Sequence, residues 1–192
     1  DQAAGTGWTK DNRKWGAGAL TFDGSNDYVV AGTNALATGA SATDFTVEYW
    51  ANIKSPTTNE VFVLQQASSP RAGDFVIDKT SSGANLYFVR YNGTSNNGDS
   101  IYIPTTGLIG AWHHFVFTAS GGSSGTKKIY VDGIDRGGTV SNNGDLGNYG
   151  TIPNTTIGGG SVSHYNSSTF DAVRIYNRAL AIDEIKSNYN NG

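Results

Sequence analysis

Strict alternation of apolar and polar residues over Phe45-Thr-Val-Glu-Tyr-Trp-Ala-Asn-Ile53 constrains this chain more than any other feature. Phe45, Val47, Tyr49 and Ala51 fall on one side, and Thr46, Glu48, Trp50 and Asn52 on the other. A repeat of two residues marks a strand with one face turned to a core. Shorter runs of the same kind recur at 19–22, 28–30, 61–65, 75–79, 86–91, 101–103, 112–119, 127–131, 155–158 and 170–176. Turn clusters such as Asp23-Gly-Ser-Asn26 and Ser120-Gly-Gly-Ser-Ser-Gly125 separate them. Tyr130-Val-Asp-Gly-Ile134 predicts a tight hairpin, because Asp-Gly tolerates the positive φ of a type I′ turn. Ten or more short strands with polar connections predict an antiparallel sandwich.

Composition narrows the alternatives. There are 26 glycines in 192 residues, about twice the usual share, and only 15% of residues are charged. A helical bundle, whose surface needs Lys and Glu, is excluded. Disorder is excluded by the 11% of aromatic residues, which supply a core. The net charge of −3 gives no electrostatic basis for nucleic-acid binding. No apolar run approaches the ~18 residues of a membrane-inserted span. Cysteine is absent, which removes disulfides and thiolate chemistry. A start at Asp1 without Met suggests a processed or excised piece.

The one predicted helix is Leu180–Tyr189, where Leu180, Ile185 and Tyr189 share a stripe. It is expected to clamp one end of the sandwich. The expected organisation is an irregular N-terminal segment, 1–17, followed by a single β-sandwich domain over 18–192. Trp8 and Trp15 of the segment are expected to pack, with an exposed platform as the alternative.

No catalytic set is apparent. Glycosidase chemistry needs two carboxylates ~5–9.5 Å apart in a cleft. The only glutamates, Glu48, Glu60 and Glu184, lie in separate elements, and most aspartates sit in turns. The chain is therefore expected not to be an enzyme. Glu48 shares a face with Trp50 and is a ligand-site residue if that face is concave, or a paired buried acid if it is not. His113-His114 is expected to be structural.

Four segments, taken in order, resemble laminin-G-like modules of the concanavalin A-like lectin/glucanase superfamily. They are Gly18-Ala-Leu-Thr-Phe-Asp-Gly-Ser-Asn-Asp-Tyr-Val29, Phe45-Thr-Val-Glu-Tyr-Trp50, Trp112-His-His-Phe-Val116 through Ile129-Tyr-Val-Asp-Gly133, and Phe170-Asp-Ala-Val-Arg-Ile-Tyr-Asn-Arg-Ala-Leu180. The resemblance covers about residues 16–190. It implies a two-sheet antiparallel jelly roll, all-β apart from the C-terminal helix, in a secreted or cell-surface protein that binds glycans or proteins. Fold alone does not fix function.

Two sites are expected. Calcium takes six to eight hard oxygens, and the turn Asp23-Gly24-Ser25-Asn26-Asp27 concentrates them. The resemblance places this turn beside the last strand, so Asp23, Gly24 and Asp171 are the expected ligands of a structural Ca²⁺, with Asp27 a further possibility. The competing reading is an Asx turn at Asp23 and an ion pair at Asp171. Sugar recognition needs aromatic faces beside groups that both donate and accept. Such groups concentrate in three loops, with Arg90, Tyr91, Asn92 and Asp99 in the first, Asn143, Asp145 and Tyr149 in the second, and His164 and Tyr165 in the third. The function expected is a noncatalytic, lectin-like module for a glycan or polysaccharide. The alternative is a protein-interaction or self-assembly domain of an adhesin, pilus or surface layer, and a polysaccharide-degrading enzyme is a third.

Overall fold

The computed structural model of the chain describes residues 7–33, 44–55, 59–65, 75–79, 82–91, 98–121, 125–141, 154–160 and 164–192. In chain order the strands are β1 (Gly7–Thr9), β2 (Ala19–Thr21), β3 (Val29–Thr33), β4 (Phe45–Asn52), β5 (Glu60–Gln65), β6 (Phe75–Lys79), β7 (Asn85–Tyr91), β8 (Gly98–Pro104), β9 (Trp112–Ser120), β10 (Thr126–Val131), β11 (Ile134–Asp135), β12 (Thr139–Ser141), β13 (Asn154–Ile157) and β14 (Thr169–Tyr176). One helix, α1 (Ile182–Asn191), closes the chain. The strands form two antiparallel sheets of seven, β1-β2-β14-β4-β9-β10-β11 and β12-β8-β7-β6-β5-β13-β3. This is the two-sheet sandwich that the alternation predicts. The N-terminal segment differs from expectation: Gly7–Thr9 is a strand, paired with Ala19–Thr21 in the register Gly7↔Thr21 and Trp8↔Leu20.

The inner faces meet through the residues that the period assigns to them. Phe45, Val47, Tyr49 and Ala51 of β4 pack with Phe115 and Phe117 of β9 and with Phe62, Phe75, Ile77 and Phe88 of the second sheet. Tyr49 sits at the centre, with ring centroids 5.4 to 6.1 Å from Phe62, Phe115, Phe117 and Phe170. Fully burying such a side chain contributes about 1.5–3 kcal/mol.

A bulge in β14 decides the outer face of the first sheet. Asp171 pairs with Trp50 but Arg174 with Glu48, so one extra residue lies between them. Ala172 carries φ of +47°, the left-handed region that a bulge residue adopts. Unbroken alternation from Phe170 would aim Arg174 into the core. After the bulge, Val173 and Ile175 pack on the core instead, and Arg174 reaches Glu48 on the outer face, Nη1 to Oε1 2.7 Å.

Helix α1 covers that outer face. Ten residues are too few to hold a helix alone, for which ~12–15 are needed, so docking sustains it. Ile185 is fully buried with Val116, Tyr130 and Leu180. Tyr189 stacks on Trp50 at 5.6 Å, and Asn188 donates to Glu48 Oε2 at 2.7 Å. At the helix start Glu184 accepts from the Ala181 N–H at 2.9 Å. Trp15, 36% exposed, meets Trp50 edge-on at 6.0 Å and so packs only in part. Glu48 is thus a paired, fully buried acid beneath a helix, the second of its two sequence readings.

Candidate functional site

The sequence-selected loop residues separate into three groups. Asn92, Asn143, Asp145 and Tyr149 lie outside the described residues, and of Tyr91 only the backbone in β7 is described. Arg90 and Asp99 lie inside the sandwich, against the expectation of a loop site. Arg90 shares the inward face of β7 with Leu86 and Phe88, is 1% exposed, and lies over the Phe45 ring at 5.3 Å. Asp99 faces inward with Ile101 and Ile103 and pairs with Lys127 of the opposite sheet. The same period that builds the core carries these charges into it, so they tie the sheets together. His164 is exposed and meets Asn59 Nδ2 through Nε2 at 3.1 Å. Tyr165 is half-buried and closes over Gly159, where a Cβ would lie 2.6 Å from its ring.

Asp23, Gly24 and Asp171 do not converge. Asp23 Oδ1 accepts from the Ser25 N–H at 2.7 Å, an Asx turn. Gly24, at φ +84°, lies against Ser167. Asp171 is displaced from that point by the stretch 167–171, about 13 Å at the usual strand rise. Its Oδ2 accepts the N–H groups of Lys14 and Trp15 at 3.0 and 2.8 Å. Among the described residues no three His, Asp or Glu side chains gather at one point. These residues therefore do not fit a single shared calcium shell. The neighbouring Asp27 does present a free ligand: it is 8% exposed, and its Oδ2 is buried without a hydrogen-bond partner.

Asp27 belongs to the open edge of the sandwich, where the turn 22–28 carries the chain from β2 in one sheet to β3 in the other. A cavity of about 340 Å³ opens there, lined by Leu20, Phe22, Asn26, Asp27, Tyr28 and Val29 among others. Gly7 and Thr21 also line an adjoining cleft of about 630 Å³. The cleft's other walls are Trp8, Thr9, Lys10, Asp11, Asn12 and Lys54. Trp8 lies opposite Leu20 on the edge strand of the first sheet and is 79% exposed. Gly18 lets the backbone of β1 approach closely, since a Cβ there would stand 3.0 Å from Thr9 O. Tyr28, 48% exposed, continues the aromatic edge.

The floor of the cleft is fixed. Asn12 accepts from Trp112 Nε1 at 3.2 Å and donates to Thr169 Oγ1 at 3.3 Å, while Lys10, Asp11 and Lys54 are exposed. An indole of this size buries roughly 150–250 Å² when packed, so its exposure forgoes about 4–6 kcal/mol of burial. Sequence reasoning weighed Trp8 as a platform but favoured packing, and it missed Lys10, Asp11 and Lys54. The signal available was Trp8-Thr-Lys-Asp-Asn12, an aromatic followed by polar and charged residues.

Asn166 opens the N-glycosylation-type triplet Asn166-Ser-Ser168, but it is fully buried and donates to the Val61 carbonyl at 3.2 Å, so it is no glycan acceptor. His113 pairs with Asp132 at 2.7 Å, and His114 is fully buried between Trp50 and Tyr189, at 5.1 and 6.0 Å. Both histidines are structural.

A laminin-G family model, described as the concanavalin A-like lectin/glucanases superfamily, matches residues 23–186. No curated protein sequence matches the chain. Among solved structures, the botulinum neurotoxin serotype G binding domain superposes with a TM-score of 0.70 at 14% identity, over 97% of this chain and 47% of that one. The binding domain of botulinum neurotoxin DC, in complex with rat synaptotagmin II, gives 0.67 at 14% identity, over 96% and 45%. The receptor-binding domain of the C/D mosaic serotype gives 0.66 at 13%, over 91% and 42%. The chain spans less than half the length of each. At such identities the likeness is one of fold.

Proposed function

We propose a noncatalytic glycan-binding function on one premise: the chain belongs to the concanavalin A-like lectin/glucanases superfamily. The carrying observation is Trp8, a 79% exposed indole beside a cleft that Lys10, Asp11, Asn12 and Lys54 help to line. An indole face takes the C–H face of a pyranose, while exposed Lys10, Asp11 and Lys54 supply donors and acceptors for hydroxyls. A shallow site of this kind gives a Kd of roughly micromolar to millimolar, so tight adhesion needs several copies. The setting that suits this function is a secreted or cell-surface protein. No described helix is long and apolar enough to cross a membrane.

A structural calcium is proposed with it, assigned to the turn carrying Asp27, whose unpartnered oxygen would ligate the ion together with carbonyls of the turn. Its role would be to hold the edge of the sandwich beside the cleft.

The test is a broad glycan array with the intact chain and with Trp8→Ala. Selective binding that Trp8→Ala abolishes in a folded protein supports the reading. A blank array overturns it in favour of a protein-interaction or assembly domain. That second reading has its own support in Ile134 and Val140, 64% and 50% exposed at the opposite edge. It predicts a concentration-dependent mass.

A further inference from the structure

Resting on that reading of the Trp8 cleft, we propose that the site selects anionic glycans, those bearing carboxylate or sulfate groups, through Lys10 and Lys54. The chain as a whole is acidic, with a net charge of −3, yet the cleft is not. Lys10 and Lys54 both line it, against a single carboxylate, Asp11. Arg13 Nη1 donates to the Lys10 carbonyl, which anchors a third cation at the same turn.

These cations differ from others in the molecule. Lys79 pairs with Glu60, Lys127 with Asp99, Lys128 with Asp135, Arg174 with Glu48 and Arg178 with Glu184. Among the described residues Lys10, Arg13 and Lys54 make no ion pair, nor do Lys14, Arg136 and Lys186, but of these six only Lys10 and Lys54 line the cleft. Unpaired ammonium groups beside an exposed indole are suited to a ring that presents an apolar face and an anionic substituent together. The sugar face stacks on Trp8, and its carboxylate or sulfate is held by the flanking lysines. A neutral sugar gains the stacking and hydrogen bonds to its hydroxyls but not the ion pairing.

Each exposed pairing is modest, worth about three- to fivefold in affinity at low ionic strength. Two acting on one ligand give about tenfold. Salt removes the gain, because the screening length falls from about 10 Å at 0.1 M to about 3 Å at 1 M.

The experiment is calorimetric titration of the intact chain with an oligogalacturonide, with its methyl-esterified counterpart and with a sulfated galactan oligomer, at low salt and at about 1 M salt. We expect the acid and the sulfate to bind about tenfold more tightly than the ester at low salt, and equally at high salt. Lys10→Ala and Lys54→Ala should each lose about three- to fivefold more for the charged ligands than for the ester at low salt, and the difference should vanish at high salt. Lys128→Ala, remote and paired, controls for long-range charge and should change neither. Equal binding of acid and ester, still abolished by Trp8→Ala, overturns the anionic selectivity and leaves the glycan reading standing. Failure of all three ligands, together with a blank array, overturns the glycan reading itself.

Discussion

Arg174 holds Glu48 from across a strand bulge, Nη1 to Oε1 at 2.7 Å, beneath a helix whose Asn188 takes the other carboxylate oxygen at 2.7 Å. Arg174 also donates through Nη2 to the carbonyl of Gly192 at 2.5 Å. One carboxylate therefore joins β4, β14 and α1. Its removal leaves Arg174 with only the Gly192 carbonyl and Asn188 with only the Tyr176 hydroxyl at 3.3 Å. Glu48→Ala is expected to cost about 3 kcal/mol in chemical denaturation, the low end for a broken buried pair because Arg174 is 36% exposed. A loss below about 1 kcal/mol would show that α1 docks on apolar contacts alone.

The same acid sets a pH dependence. Burial pushes the Glu48 carboxyl up, but His114, Asn188 and Arg174 outweigh it and hold the group below its usual range. Its folded pKa lies below the unfolded one, so its stabilisation is present above about pH 4.5 and is lost as pH falls further. Denaturation curves between pH 3 and 7 for the wild type and Glu48→Gln should converge toward the acid end. Parallel curves would refute the assignment.

Asp78 acts in the opposite sense. Burial on the second sheet raises its carboxyl to about 6, so the folded state binds this proton more tightly than the unfolded chain. Stability attributable to Asp78 therefore falls as pH rises between about 4 and 6. Asp78→Asn should raise the melting temperature at pH 7.5 and have little effect at pH 4. A uniform shift at both would indicate packing rather than ionisation.

Ala172 occupies the left-handed region at φ +47°, where a Cβ costs about 1–2 kcal/mol. Glycine removes that strain but adds about 0.4–1 kcal/mol of unfolded-state entropy. Ala172→Gly should stabilise by about 0.5 kcal/mol, and Ala172→Val should destabilise by more than 1 kcal/mol. Equal stability of all three would mean that β14 relaxes out of the bulge.

Calcium, if held at the open edge, stabilises the folded state by mass action. Chelation should lower the melting temperature and added Ca²⁺ restore it. Asp27→Asn should abolish that response, whereas Asp171→Asn should leave it intact, because Asp171 serves the Lys14 and Trp15 amides. No change on rigorous chelation would dispose of the ion.

Periodicity by itself determined the sandwich, most of its core and the short helix, because strand and helix geometry make side-chain direction a matter of counting. It identified Phe45, Val47, Tyr49 and Ala51 as one face and Glu48 and Trp50 as the other. Counting gives no information about what covers a face, and tertiary structure alone decided that α1 lies over Glu48. It also fails wherever a residue is inserted: the extra residue at the bulge reversed the parity of β14 and sent Arg174 outward. Arg90 and Asp99 resembled loop ligands because charge suggests solvent, but their inward parity and the opposing Lys127 placed them between the sheets. Trp8 shows the converse. Its sequence suggests a residue to bury, and it stands 79% exposed on β1, an edge strand of its sheet.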